Sequence, residues 1–181
     1  MNKINKLRNI LNKQNCDAYL IPKNDEYFGE YVPKNKDRLK FISGFTGSTG
    51  LALILKNKSY LFVDGRYTLQ AKKEINKDFK ICDVSKIKPH YILKNLNRKI
   101  TLGFDPKLFT SSMLKNIISN NSINLKPINY NLIDIIWKNK IKINNNKFHI
   151  LEEKYHGENY LNKINKVNKF LRLKDIQYLL S

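Results

Sequence analysis

The feature that most constrains the fold is an alternation of short apolar runs with amphipathic segments along most of the chain. Apolar runs bounded by turn residues predict buried strands, and apolar residues repeating every three or four positions predict helices. Strands alternating with helices are typical of an α/β layer fold. Strands are predicted at 17–21, 51–55, 60–63, 79–82, 100–104 and 123–128, and helices at 4–15, 67–75, 87–96, 110–119 and 131–137.

One pair of strands predicts that part of the sheet is antiparallel. Residues 51–55 and 60–63 flank the polar tip 56–59, which is the clearest hairpin in the sequence. The fold class predicted is therefore α/β, with a mixed β-sheet flanked by helices. Residues 25–45 mix acidic, aromatic and basic groups without a clean period, which indicates a functional or interface loop with a short helix.

The pattern changes after Trp137. We expect one α/β domain over residues 1–140, then a linker rich in lysine and asparagine over 141–157. Residues 158–181 predict an amphipathic helix followed by a strand at 176–181. A helix and one strand cannot cover both of their apolar faces. This segment therefore either packs back on the first domain or is the beginning of a second, truncated α/β domain.

The formal net charge of +19 has two interpretations. One is a nucleic-acid or membrane partner. The other is composition bias, because arginine occurs only five times among 34 basic residues and the lysines are scattered through the chain. Lysine is also the weaker residue for bidentate phosphate or base contacts. Bias with a solvated surface is favoured, and weak polyanion binding at low salt is expected in either case.

The cysteines and the N-terminus give an expectation about location. Cys16 and Cys82 are far apart, and buried thiols in a reducing compartment are favoured over a disulfide. Residues 1–6 lack the apolar region of a secretory signal, and no stretch is apolar enough to span a membrane. We therefore expect a cytoplasmic protein without a membrane partner.

No pattern of metal ligands or nucleophiles is complete. His90, His149 and His156 do not have ligand spacing, and the pair formed by His156 and Glu158 fits a surface turn better than a metal site. Three aspartates at element boundaries are explained as caps or turns, and three serines lack the context of a catalytic nucleophile. The aspartates are Asp64, Asp105 and Asp134, and the serines are Ser43, Ser48 and Ser111.

The glycine-rich loop at 44–50 precedes a predicted strand, whereas a phosphate-binding loop follows a strand and opens a helix. A tight turn that needs positive φ or close backbone approach explains it better. The chain thus has several loops that look like motifs but no assembled chemistry. It is expected to be a helper α/β domain of a larger enzyme.

These loops, in their order and spacing, resemble the N-terminal domain of Xaa-Pro aminopeptidases, the aminopeptidase P branch of the creatinase/prolidase group. The pattern is most similar to the long, three-domain form. The stretches that carry the resemblance are Asp17 to Pro22, Asp25 with Glu30-Tyr31, Arg38, Ser43 to Gly50, Asp64 to Tyr67 with Leu69 to Ala71, Gly103 to Pro106, and Asn131 to Asp134 with Trp137.

The resemblance implies a domain related to the ribonuclease H motif, and it implies that residues 158–181 begin a second domain of the same kind. The third domain of such enzymes has the pita-bread fold and holds a dinuclear metal centre, commonly manganese. Its metal-bound hydroxide attacks the peptide bond before a proline. None of those ligands is expected in this chain, so it should be inactive alone. The implied partners are the catalytic domain, a second copy in a homodimer, and proline-containing peptides.

The resemblance also implies roles for individual residues. Arg38 corresponds to an arginine near the mouth of the active site, where it would orient the substrate or seat this domain, and a surface salt bridge is the alternative. Tyr27 stands where many relatives have histidine, and Leu39 where many have arginine. The expected architectural residues are Gly44, Gly47, Gly50, Asp64 and Arg66. The alternative function is a basic module for nucleic acid or another polyanion.

Overall fold

A computed structural model of the protein describes residues 2–96, 98–118, 123–141, 147 and 149–179. The chain divides into two compact units, Met1–Ile143 and Asn144–Ser181. The sequence placed this boundary at residue 140. Residues 142–146 and 148 of the predicted linker lie outside the described residues, and a short helix, α7 (Glu153–His156), forms within the rest of it.

The first unit is built on one six-stranded sheet with the order β4-β3-β2-β1-β5-β6. β2 pairs antiparallel with both β1 and β3, and the remaining neighbours pair in parallel. The predicted mixed sheet and its hairpin are confirmed. The strands are β1 (Ala18–Pro22), β2 (Leu51–Leu55), β3 (Ser59–Val63), β4 (Phe79–Asp83), β5 (Ile100–Phe104) and β6 (Ile123–Pro127).

Helices cover both faces of this sheet. Successive strand residues point to opposite faces, so Tyr19 and Ile21 belong to one core cluster while Ala18 and Leu20 belong to the other. Side chains of α1, α2, α3 and α6 contribute to the first cluster, and side chains of α4 and α5 to the second. The helices are α1 (Lys3–Lys13), α2 (Arg38–Ser43), α3 (Thr68–Glu74), α4 (Pro89–Lys94), α5 (Ser111–Ile117) and α6 (Leu132–Ile136).

The two cysteines are buried and unpaired, as the sequence predicted. Cys16 lies in the first core cluster and Cys82 in the second, so the sheet separates them. Burial raises the pKa of both thiols above the usual value. Both cysteines therefore serve as small apolar core residues.

The second unit contains α7 and one longer helix, α8 (Tyr160–Leu173), and neither helix has a buried residue. The strand predicted at 176–181 is wrong for residues 176–179, which have no regular secondary structure, while 180–181 lie outside the described residues. A strand needs a hydrogen-bonded neighbour, and the described part of this unit offers none. No helix of the described ranges is long and apolar enough to cross a membrane.

Candidate functional site at the carboxyl edge of the sheet

Five of the six strands run in the same direction, so β1, β3, β4, β5 and β6 all end at one edge of the sheet, where β2 begins. We call this the carboxyl edge. It carries the loop at 23–37 after β1, the glycine loop at 44–50 before β2, the turn at 64–67 after β3, and the loops after β5 and β6. Open α/β sheets bind ligands at this edge. The topology thus places all the motif loops together.

Arg38 is the buried centre of this edge, with 3% of its side chain exposed. Its Nη2 donates to Glu26 Oε1 at 2.7 Å, and its Nε and Nη2 donate to the two carboxylate oxygens of Asp134 at 2.9 Å each. Lys36 and Lys140 pair with the same two carboxylates. Arg38 therefore joins the loop after β1 to α6 through a bidentate contact, and it lies beneath the surface rather than on it.

The charges of this network are strongly stabilised. Partial burial disfavours the carboxylate of Glu26, but hydrogen bonds from Lys36 and Arg38 outweigh burial and lower its pKa to about 2. Burial also disfavours the carboxylate of Asp134, but hydrogen bonds from Arg38 and Lys140 outweigh burial and lower the pKa of Asp134 below its usual value. The bonds to both carboxylates also raise the pKa of Arg38 in spite of its burial. All three groups stay ionised at neutral pH.

A cavity of about 440 Å³ opens beside this network. Asp105 at its wall accepts the backbone N–H of Lys107 at 3.0 Å and the side-chain amide of Asn131 at 2.9 Å. The Nη1 of Arg38, also in the cavity lining, is buried and has no hydrogen-bond partner among the residues that the structure describes. The three carboxylates of the cavity lining, those of Glu26, Asp105 and Asp134, are therefore already engaged by donors, while Nη1 of Arg38 is not.

The loop after β1 carries three exposed aromatic residues, which we call the aromatic tip, and they follow the cavity residue Glu26 in the chain. Tyr27 and Tyr31 are each 82% exposed, and Phe28 is 46% exposed with φ +54. The base of the loop is fixed, because Lys23 Nζ lies 2.6 Å from Asp37 Oδ2 and both side chains are almost fully buried. Exposed aromatic groups on a fixed base are typical of interaction surfaces.

The profile of the Creatinase/Prolidase N-terminal domain matches residues 3–134. The chain belongs to this family. The resemblance inferred from the motif loops is confirmed, and the matched range contains all the strands of the sheet together with Glu26, Arg38 and Asp134.

Similar sequences are Xaa-Pro aminopeptidases. A probable Xaa-Pro aminopeptidase P from Coprinopsis cinerea is 34% identical over 174 residues, which are 90% of this chain and 28% of that protein. Xaa-Pro aminopeptidase 2 from Rattus norvegicus is 28% identical over 173 residues, 92% of this chain and 26% of that protein. The chain thus spans little more than a quarter of the length of these relatives.

Solved structures show the same fold. An X-prolyl aminopeptidase from Caenorhabditis elegans, a cytosolic enzyme with a di-nuclear active site, aligns with a TM-score of 0.80 at 24% identity, over 96% of this chain and 31% of that chain. The N-terminal domain of a cytoplasmic peptidase from Mycobacterium tuberculosis aligns with a TM-score of 0.57 at 20% identity, over 74% of this chain and 97% of that one.

The glycine loop of this creatinase/prolidase N-terminal domain wraps around a buried ring. Gly44 ends α2 with φ +87, and a Cβ there would lie 2.7 Å from the carbonyl oxygen of Glu74. At Gly47 a Cβ would overlap the ring of Phe45, which is fully buried. Gly50 lies where the loop enters β2 and accepts the backbone N–H of Lys23 at 2.9 Å. The loop is therefore packed against the core, without the geometry of a phosphate cradle.

Asp64 and Arg66 form the corner between β3 and α3. Asp64 Oδ1 accepts the backbone N–H of Arg66 at 2.9 Å, and Arg66 Nη2 lies 2.8 Å from Asp64 Oδ2. Arg66 remains 79% exposed, and its guanidinium group lies 5.6 Å from the centroid of the Tyr67 ring. The hydrogen bonds and charge of Arg66 lower the pKa of Asp64. The pair fixes a local turn and is separate from the Arg38 network.

Sequence reasoning missed the partners of Arg38. Asp134 was predicted as a cap or turn residue, and this is wrong, because it lies inside α6 and pairs with Arg38. Asp64 and Asp105 do cap short turns, as predicted. The available signal was the presence of Asp134 in a stretch that carried the resemblance. Nothing in the local pattern connects it with a residue 96 positions earlier.

The residues of this edge do not fit a dinuclear metal centre. No group of three or more His, Cys, Asp or Glu that could hold a metal ion occurs in the described part of the chain. The three carboxylates near the cavity already accept bonds from cationic or amide donors. The ring of His156 faces the carbonyl oxygens of Glu158 and Leu151 at 2.8 and 3.1 Å, the geometry of a turn. None of these side chains is therefore assigned a role as a metal ligand.

Proposed function

We propose that this chain is the non-catalytic N-terminal region of a metal-dependent Xaa-Pro aminopeptidase, which removes the residue that precedes proline at the N-terminus of a peptide. The domain shapes substrate access and subunit contacts. The similarity to Xaa-Pro aminopeptidases over about nine-tenths of the chain supports this function. The comparisons do not favour the alternative of a basic module for nucleic acid.

The observation that carries the proposal is the composition of the carboxyl edge, where a buried Arg38 network supports an exposed aromatic tip. Tyrosine and arginine are enriched among the residues that dominate binding energy. Lys36 links the two features, because it pairs with Glu26 and its Nζ lies 5.6 Å from the centroid of the Tyr27 ring. Tyr27 and Tyr31 are positioned to contact a peptide or a neighbouring domain, and Arg38 holds their loop against α6. Arg38 is thus a positioning residue, while the tyrosines make the contacts.

The catalytic chemistry belongs to another domain. We propose that a pita-bread domain of the same protein holds two divalent metal ions, such as manganese, and that it is the main partner of this edge. Further partners are a second copy in a homodimer and proline-containing peptides. A cytoplasmic location agrees with the cytosolic relative from Caenorhabditis elegans.

The test uses a full-length protein that joins this domain to a catalytic domain. We expect Tyr27→Ala and Arg38→Ala each to lower kcat/KM for an X-Pro peptide by about tenfold or more, over about 1.4 kcal/mol. Tyr27→Ala should leave the melting temperature unchanged, because its ring is 82% exposed. Tyr91→Ala, another exposed tyrosine at 50%, is the matched control on α4 and should retain full activity.

Two results would contradict the proposal. Unchanged kinetics in both variants would remove the role of the carboxyl edge. Metal-dependent release of the first residue by the 181-residue chain alone would show that it carries its own catalytic site. Arg38→Lys separates positioning from folding, since it keeps the charge but loses the bidentate contact.

A further inference from the structure

A second cavity, of about 280 Å³, lies on the face of the sheet that packs against α1, α2, α3 and α6, and it plays no part in the proposed function. Phe41 of α2 and Trp137 at the end of α6 form its floor, and their rings stack with centroids 4.7 Å apart and 16° between their planes. Ile141 also lines it and is 59% exposed. The cavity therefore has an apolar floor that is open to solvent.

Lysines surround this floor. Lys3 Nζ lies 4.3 Å from the centroid of Phe41 and also donates to the carbonyl oxygen of that residue at 2.9 Å. Lys140 Nζ lies 5.4 Å from the centroid of Trp137. Because the two rings stack on each other, each ammonium group takes the face that the stack leaves free. The result is a layered order of lysine, phenylalanine, tryptophan and lysine.

The charges at the rim are not balanced. Asp37 is the single acidic residue among the described residues that line the cavity, and it also caps α2. Its charge is neutralised by Lys23, whose Nζ lies 2.6 Å from Asp37 Oδ2. Lys34 and Lys40 line the same cavity, are exposed, and have no carboxylate partner within the described ranges. Two unpaired ammonium groups thus stand over an apolar floor, and the complementary ligand has carboxylates around an apolar group.

We propose that this cavity is a docking surface for an acidic polypeptide segment. An apolar side chain of the segment packs on Ile141 and on the edges of the Phe41 and Trp137 rings, whose faces are covered by each other and by lysines. Neighbouring carboxylates of the segment pair with Lys34 and Lys40. The residues that would contact the segment, Lys34, Lys40 and Ile141, belong to neither the Arg38 network nor the aromatic tip, although Lys140 over Trp137 also pairs with Asp134.

The ring geometry favours a polypeptide over single-stranded nucleic acid. Proteins that bind single strands stack bases on free aromatic faces. Here each ring uses one face for the other ring and one for a lysine. Lysine also lacks the fork geometry that grips phosphate with two bonds. A carboxylate needs only a point charge at close range, which Lys34 and Lys40 supply.

Trp137 is the single tryptophan of the chain, so its fluorescence reports directly on this cavity. The probe is a blocked, glutamate-rich peptide with a central leucine, titrated into the 181-residue chain at low salt. The matched peptide has glutamine in place of every glutamate. We expect a saturable change in emission with the glutamate peptide only. Lys34→Gln with Lys40→Gln should weaken binding by about fivefold or more.

The control is the double variant Lys94→Gln with Lys115→Gln. It removes the same charge from exposed lysines of α4 and α5, which cover the opposite face of the sheet. We expect it to change the affinity by less than about twofold. Four results would each overturn the proposal. Two are equal weakening by both double variants and equal binding of the glutamine peptide. The others are the absence of a saturable change and tighter binding of an oligothymidylate of the same charge.

Discussion

At the scale of single residues, the burial of Arg38 carries the largest energetic consequence. A guanidinium group removed from water costs several kcal/mol unless carboxylates compensate it. Glu26 and Asp134 supply that compensation from two separate elements. Removing one partner destabilises the fold by more than the intact network stabilises it, because a charge then stays buried without all of its partners. The network therefore fixes where the loop after β1 lies.

This network gives a pH dependence with a defined sign. The folded-state pKa of Glu26, about 2, lies below the value of about 4.3 for an unfolded chain. Its contribution is therefore fully present above the unfolded pKa and is lost as the pH falls from about 5 to about 2. We expect Glu26→Gln to lower the free energy of unfolding at pH 7 by on the order of 2–3 kcal/mol and to flatten its acid dependence. Urea unfolding measured across this pH range checks it.

Glu30→Gln is the matched control for this experiment. Glu30 lies four positions further along the same loop, is exposed, and forms no ion pair among the described residues. We expect its unfolding curve and acid dependence to match those of the unsubstituted chain within about 0.5 kcal/mol. Parallel pH profiles for Glu26→Gln and the unsubstituted chain would show that the Arg38 network does not contribute to stability.

At the scale of elements, the first turn of α5 shows which residue caps the start of a helix. Thr110 and Ser111 both have a hydroxyl group at this boundary, and the structure selects Thr110, whose Oγ1 accepts the backbone N–H of Met113 at 3.2 Å. We expect Thr110→Ala to lower the free energy of unfolding by about 1 kcal/mol. Ser111→Ala, at the first helical position, should stay within about 0.5 kcal/mol of the unsubstituted chain. Equal losses measured by urea unfolding would contradict this choice of cap.

The sequence predicted features that depend on nearby residues and missed those that depend on residues far along the chain. The hairpin and the cap region of α5 rest on contacts between residues close in sequence, so periodicity and turn chemistry predicted them. The strand β1 was predicted from its apolar run alone, although its partners β2 and β5 lie far along the chain. The pairing of Arg38 with Asp134 joins residues 96 positions apart, and no local pattern indicates it. The strand predicted at 176–181 is wrong over residues 176–179 for the same reason, because a strand depends on a neighbour that its own sequence does not contain.

At the scale of the whole chain, the two compact units differ in how they bury apolar surface. α1 and α8 have the same amphipathic pattern in the sequence, and neither has an acidic residue in its first turn. Ile4, Leu7 and Leu11 of α1 are almost fully buried, whereas α8 has no buried residue. Helical stability in proteins comes mainly from the packing of such a face. The same pattern should therefore give two helices of different stability.

Amide hydrogen exchange measures this difference within one molecule, with α1 as the internal control. We expect α8 amides to exchange at least about 100-fold faster than those of α1, because an isolated helix of this length is marginal in water while α1 opens only with the core. Equal protection would contradict the prediction. If α8 were protected at high concentration and lost that protection on dilution, self-association would be covering its apolar face. Protection independent of concentration would contradict the prediction that α8 is less stable than α1.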